Sequence, residues 1–253
     1  MTDPFRLDGQ TALITGGGTG LGLGIARCMA RAGARVIIVG RRRQVLEEAA
    51  ATIGALASFV EHDVNDLKSA PALVEKCVAN TGTAPTILVN NAGIHLKKFA
   101  LETSEDEFMA VIKTHVLGSF SLTRAVAPRM VEQKSGSIIF IASMASLFGI
   151  PQVIAYSAAK SAYLGMVRTL ATELSPQGVR INAIAPGWID SAISRGAFKG
   201  DPARAERVLS RTPMHQLGEA DDIGNAAVYL SSPAAKFITG AVLAVDGGIS
   251  IGF

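Results

Sequence analysis

In the segment AYSAAKSAYLG, Tyr156 and Lys160 stand four residues apart, which makes them neighbours on one face if the segment is helical. A phenol exchanges a proton near neutrality only when its pKa, about 10 in the free side chain, is lowered substantially. Bringing it to roughly 7 takes about 4 kcal/mol in favour of the phenolate, at ~1.36 kcal/mol per pH unit. An ammonium within a few ångströms in a partly desolvated site, together with the positive nicotinamide ring of an oxidised cofactor, supplies energies of that size. The pair therefore reads as an acid–base centre in which tyrosine exchanges the proton while a nucleotide exchanges the hydride. Tyr-x-x-x-Lys occurs in many helices, so the weight rests on a third residue. Ser143 lies thirteen residues before Tyr156, at the end of the apolar run SIIFIAS. Ligands of open parallel sheets bind at that end of a strand, and a serine there can hold a substrate oxygen beside the phenol.

A hydride carrier needs a phosphate site. TGGGTGLG, residues 15 to 22, follows the first apolar run and leads into a helical pattern. Glycines let the backbone approach an anion, and the helix N-terminus offers unpaired N–H groups and the positive end of its dipole. The common G-x-G-x-x-G spacing is absent here in every register; the spacing present is G-x-x-x-G-x-G, from Gly16, Gly20 and Gly22. The second run, VIIVGRRRQ, ends in Gly40 where folds that prefer NAD place an acid for the ribose hydroxyls, and Arg41 and Arg42 follow at once. With no carboxylate to repel a 2′-phosphate and a guanidinium able to grip it, NADP(H) is favoured over NAD(H).

The elements that must position these groups alternate. Short β-branched runs (TALIT, RVIIVG, ASFVEH, TILVNN, SIIFIAS, VRINAIAP, AVLAVD) are separated by helical patterns near 21–32, 44–53, 67–80, 105–133, 155–174 and 221–231. Near-continuous apolar strands joined by helices imply an α/β fold with a doubly wound parallel sheet of about seven strands, buried on both faces. No linker or repeat divides the chain, so 1–253 reads as one domain. The stretch from Trp188 to Met214 shows neither pattern, and a loop of that length predicts a substrate lid over about 188–214.

Composition excludes other classes. The charge of +3, from 24 basic and 21 acidic residues, is too small to argue for nucleic acid or an anionic membrane. No apolar run approaches the ~18 residues of a membrane span, and MTDPFRLDGQ has no signal-peptide pattern, which predicts a cytoplasmic location. Cys28 and Cys77 fit no metal spacing and read as buried free thiols.

Together with NNAG at 90–93, NAIAPGWIDS at 182–191 and VDGG at 245–248, these motifs make the whole chain resemble the short-chain dehydrogenase/reductase family. The resemblance implies a Rossmann-type sheet, NAD(P)(H), hydride transfer between an alcohol and a carbonyl, and a homotetramer. It implies cofactor contacts from Gly16, Thr19, Gly20, Leu21 and Gly22, from Arg41 and Arg42, and from Asp63 and Val64 around the adenine. Further contacts are implied for Asn90, Ala92 and Gly93, for Tyr156 and Lys160 themselves, and for Pro186, Gly187, Ile189 and Ser191 around the nicotinamide. Ser191 stands where the family often has threonine.

The chain departs from the family at HVLG, where His115 replaces an asparagine of an N-V-x-G pattern. That asparagine is thought to hold a local helix break and a water through which the lysine reaches solvent. An imidazole also donates at one nitrogen and accepts at the other, so His115 joins Ser143, Tyr156 and Lys160 as a catalytic candidate. For the substrate, Met144, Leu147, Phe148, Val153, Trp188 and Phe198 offer apolar walls. His95, Lys97, Lys98, Arg195, Lys199, Arg204 and Arg211 bring cations that lean toward an anionic small molecule. The pattern is similar to gluconate 5-dehydrogenase and 3-oxoacyl-carrier-protein reductase relatives. A sugar acid or its keto form is therefore expected, with an acyl thioester as the alternative, and a non-catalytic dinucleotide sensor or scaffold as the reading from another class.

Overall fold

The computed structural model describes residues 3–191 and 202–252. Seven parallel strands form one sheet: β1 (Thr11–Thr15), β2 (Arg35–Gly40), β3 (Ala57–Glu61), β4 (Ile87–Asn90), β5 (Gly136–Ile141), β6 (Val179–Pro186) and β7 (Val242–Val245). Their order is β3-β2-β1-β4-β5-β6-β7. The chain runs outward from β1 to β3, then returns to lay β4 on the other side of β1. This reversal opens a crevice at the carboxyl ends of β1 and β4, where the sheet can take a ligand.

Strand periodicity divides the apolar residues between two cores. Ile14, Ile38 and Ile184 pack with α1 (Gly20–Arg31), α2 (Arg43–Ile53) and α8 (Ala220–Ser231). Leu13, Ile37 and Phe140 pack on the opposite face with α3 (Ala70–Thr81), α5 (Gly118–Glu132) and α6 (Ile154–Leu174). The continuous apolar runs are thus explained: both faces of each central strand are covered. The two cysteines are buried and free, Cys28 on α1 and Cys77 on α3.

Two elements differ from the sequence expectation. The helical pattern over 105–133 is α4 (Glu105–Ile112), a π turn at Lys113–Leu117, and then α5. Ser104 starts α4 with a capping box, its hydroxyl accepting from the Glu107 N–H while the Glu107 carboxylate accepts from the Ser104 N–H. The stretch 188–214, expected to lack regular structure, contains α7 (Pro202–Arg211). Its sequence, PARAERVLSR, has only the short stripe Ala205, Val208 and Leu209 half-buried, too little periodicity to stand out against its charges. Among the described residues no helix is long and apolar enough to cross a membrane.

The first and last α-helices approach so closely that glycine is required at their contact. A Cβ on Gly24 would lie 2.6 Å from Cβ of Ala220, and one on Gly224 would lie 2.5 Å from Sγ of Cys28. Gly24→Val should therefore force α1 and α8 apart and cost about 1–3 kcal/mol, read as a drop in thermal midpoint of about 2–4 °C for each kcal/mol. An unchanged melting curve would show that the contact yields without cost.

Candidate active site

The end of β5 and the start of α6 bring the candidate residues together. Ser143 follows β5 by two residues, and its hydroxyl accepts from the N–H of Ala145 at 3.1 Å, which fixes its rotamer. Tyr156 and Lys160 lie in the first two turns of α6, with the Ser143 hydroxyl close enough to the phenol to favour its ionised form. Lys160 is buried, and its Nζ donates to the carbonyl of Ile141, the last residue of β5, at 2.5 Å. That nitrogen lies 5.5 Å from the ring centre of Tyr156 and 4.8 Å from that of Tyr163.

Burial holds Lys160 down at about 7. Burial also pushes the Tyr156 phenol up, and the Ser143 hydrogen bond opposes it. The expected lowering of the phenol therefore does not come from these side chains by themselves.

The crevice between β1 and β4 is a groove of about 190 Å³. Of the residues expected to hold a dinucleotide, Gly16, Thr19, Arg41, Arg42, Asp63, Val64, Ala92 and Gly93 line it. Gly16 and Gly20 have φ of +67° and +53°, which glycine adopts without strain. A Cβ on Gly22 would lie 2.2 Å from the Gly16 carbonyl oxygen, so this glycine lets the start of α1 close on the turn. Thr19 precedes α1 without a side-chain cap, leaving first-turn N–H groups for an anion. Leu21 lies half-buried in that first turn. Arg41 and Arg42 are exposed and form no ion pair among the described residues. These residues fit a dinucleotide phosphate.

The family model described as Enoyl-(Acyl carrier protein) reductase matches residues 16–250. Galactitol 2-dehydrogenase (L-tagatose-forming) of Cereibacter sphaeroides is 39% identical over 251 residues, 98% of this chain and 97% of that one. The 2-dehydro-3-deoxy-D-gluconate 5-dehydrogenase of Bacillus subtilis (strain 168) is 36% identical over 97% of this chain and 96% of its own. The solved structure of a gluconate 5-dehydrogenase from Burkholderia cenocepacia J2315, in complex with NADP and tartrate, superposes with a TM-score of 0.94 at 33% identity, covering 99% of each chain. The chain belongs to the short-chain dehydrogenase/reductase family. It is an oxidoreductase acting on alcohol or carbonyl groups with NAD(P).

In this dehydrogenase the remaining expected residues divide by location. Asn90 does not line the groove: its Nδ2 donates to Thr123 Oγ1 at 3.2 Å, tying β4 to α5. Asn91 bridges the strand ends instead, donating to the Thr15 carbonyl at 2.9 Å, while Thr15 Oγ1 accepts from the N–H groups of Asn91 and Ala92, each at 3.0 Å. Pro186 and Gly187 lie at the end of β6, beside β5. A Cβ on Gly187 would stand 2.6 Å from Cα of Asp246, so the PGW and VDGG segments pack backbone to backbone. Ile189 is buried where Trp188 and Asp190 pair with Gly218, and Ser191 is the last described residue before the gap.

His115 sits buried in the π turn. Its Nε2 lies 2.8 Å from the Ile94 carbonyl oxygen and 3.1 Å from the Ile94 nitrogen. One nitrogen cannot serve both, and the shorter contact favours Nε2–H donating to the carbonyl. Nδ1 then keeps a lone pair with no partner among the described residues. Burial holds the imidazole down at about 3, with Lys160 contributing, so it is neutral near pH 7. Its ring meets Tyr156 edge-on at 5.6 Å, and its carbonyl accepts from the hydroxyls of Ser119 at 2.6 Å and Tyr163 at 3.0 Å.

The expected cations fare differently. Lys98 is paired with Glu107, both contacts at 2.9 Å, so it is not available to a substrate. Arg211 lies over the Phe148 ring at 5.7 Å, and the His95 ring lies 5.1 Å from that of Tyr156. Lys97 is exposed. Met144 and Val153 are buried, Phe148 and Trp188 half-buried and Leu147 exposed. Arg195, Phe198 and Lys199 lie outside the described residues, as does the side chain of Arg204.

Sequence reading missed Tyr163 and Asn91. Tyr163 stands three residues beyond Lys160, on the same face of α6, and that spacing is the signal that could have found it.

The buried ammonium has a cost. Displacement from 10.5 to about 7 is worth about 5 kcal/mol against folding at ~1.36 kcal/mol per pH unit. The folded pKa is the depressed one, so the cost is complete below pH 7 and fades as pH rises toward 10.5, where the unfolded chain also loses the proton. Lys160→Met should thus raise the thermal midpoint of the nucleotide-free protein most at pH 6 and least near pH 10, while abolishing turnover. A midpoint that falls at pH 6 would contradict the buried-charge account.

Proposed function

We propose that this protein is an NADP(H)-dependent oxidoreductase that interconverts a secondary alcohol and a ketone on a sugar acid, with gluconate and 5-ketogluconate as the leading pair. The observation that carries this reading is the meeting of Ser143, after β5, with Tyr156 and Lys160 on α6, beside a groove rimmed by two arginines that form no ion pair among the described residues. Ser143 holds the substrate oxygen, Tyr156 gives or takes its proton, and Lys160 favours the phenolate. Bound NADP(H) supplies or accepts the hydride. Retention of all three side chains speaks against a non-catalytic sensor or scaffold. The polyol and sugar-acid names of the relatives favour a polyhydroxylated substrate over an acyl thioester. Reduction of 5-ketogluconate, compared with acetoacetyl thioesters, tests the class; no rate on any polar keto acid would end the sugar-acid reading.

Preference for NADP rests on Gly40, whose lack of a carboxylate leaves Arg41 and Arg42 unopposed at the groove. Arg41→Ala should weaken NADPH binding at least tenfold while leaving NADH binding nearly unchanged. An unaltered ratio of the two affinities would remove the basis of the preference.

His115 acts in this reading as a neutral hydrogen-bonding link for the proton leaving Lys160, and its unpartnered Nδ1 is the atom that supports the role. His115→Asn should retain turnover. His115→Leu should lose at least tenfold in kcat with NADPH affinity maintained, and the wild-type kcat–pH profile should show no His115 inflection between pH 6 and 9. Equal turnover by the leucine variant across that range would exclude the relay.

The lid reading concerns the 188–214 region, of which residues 192–201 lie outside the described residues. Met109, Leu117 and Phe120 expose apolar surface along α4, the π turn and α5, which supports burial in a homotetramer. The same reading places the enzyme in the cytoplasm.

A further inference from the structure

The ring of Tyr156 is enclosed on its buried side. His115 meets it edge-on at 5.6 Å, and Nζ of Lys160 lies 5.5 Å from its centre. The third neighbour, His95, is exposed, and its imidazole lies 5.1 Å away at an interplanar angle of 39°. His95 is thus the exposed ring that flanks the one carrying the phenol.

The backbone explains why the imidazole is held there. Residues 93 to 98 run extended, with Gly93, His95 and Lys97 exposed and Ile94, Leu96 and Lys98 turned inward. One end is clamped by the Ile94 backbone on His115. At the other, the Lys98 N–H donates to the Gln152 carbonyl at 2.8 Å, and the Lys98 side chain pairs with Glu107. Lys98 thus serves the scaffold, while His95 is presented beside the reacting centre.

We propose that His95 is a specificity-determining residue whose imidazole hydrogen-bonds an oxygen function, hydroxyl or carboxylate, on the carbon next to the reacting one. The proposal rests on the reading of Tyr156 as the acid–base group. A substrate whose oxygen meets the phenol presents its neighbouring carbon to whatever flanks that ring, and hydrogen-bond reach is about 2.7–3.2 Å. A site built to pair with such an oxygen rejects analogues that lack it.

The test compares NADPH-dependent reduction of 5-ketogluconate, acetoin and butanone by wild type, His95→Gln and His95→Phe, with NADPH affinity measured by fluorescence. His95→Phe should lower kcat/KM at least tenfold on 5-ketogluconate and acetoin, mainly through KM, and His95→Gln should restore part of the loss. Butanone reduction and NADPH affinity should not change. An equal loss on all three ketones, no loss on any, or a wild type that does not prefer acetoin to butanone overturns the proposal. If wild type reduces acetoin and not 5-ketogluconate, the sugar-acid reading fails alone, and the acetoin-to-butanone ratio still decides the role of His95.

Discussion

A lysine ammonium held inside the protein by one main-chain carbonyl is the constraint on which the active site depends. Lys160 donates to Ile141 at the end of β5, so the bond that anchors the cation also sets α6 against the sheet. Ser143 follows two residues later on the same segment, so this contact holds the three candidate residues to one strand end. The low dielectric around it makes the cation costly to bury. Tyr156 and Tyr163 place aromatic rings against it, which favours the charge without adding a competing anion.

The cofactor end is built on a different device, the parting of β1 and β4. Thr15 joins the two strand ends through three hydrogen bonds of 2.9–3.0 Å, two with Asn91 and one with Ala92. The segment that continues from Asn91 passes through Gly93 and Ile94 to His115. A Cβ on Gly93 would lie 2.1 Å from Cε1 of that imidazole. The glycine of NNAG is therefore required by the histidine beneath it, and the groove lining is braced by the same residue whose ring meets that of Tyr156.

Much of this was legible in the chain because central strands of a parallel sheet are covered on both faces. Runs such as TALIT and RVIIVG could only be strands of that kind, and the glycines before α1 and the Tyr-x-x-x-Lys spacing pointed to the two halves of the site. Other features were hidden for identifiable reasons. The π turn preserves helical apolar spacing on both sides, so 105–133 reads as one helix. α7 lacks a strong apolar stripe. Lys98 looks like a free cation until Glu107, nine residues away, is brought against it. NNAG offers two adjacent asparagines, and only their different partners show that Asn90 ties β4 to α5 while Asn91 ties β4 to the end of β1.

By itself the sequence determined the order of strands and helices, the phosphate-type turn and the reactive side-chain types, since these follow from local periodicity, backbone freedom and functional-group chemistry. Tertiary structure decided which of those groups meet. The burial of Lys160, the neutrality of His115 and the exposure of His95 beside Tyr156 depend on contacts between segments 20 to 60 residues apart. Desolvation and hydrogen-bond partnership are properties of those contacts, and no local spacing encodes them.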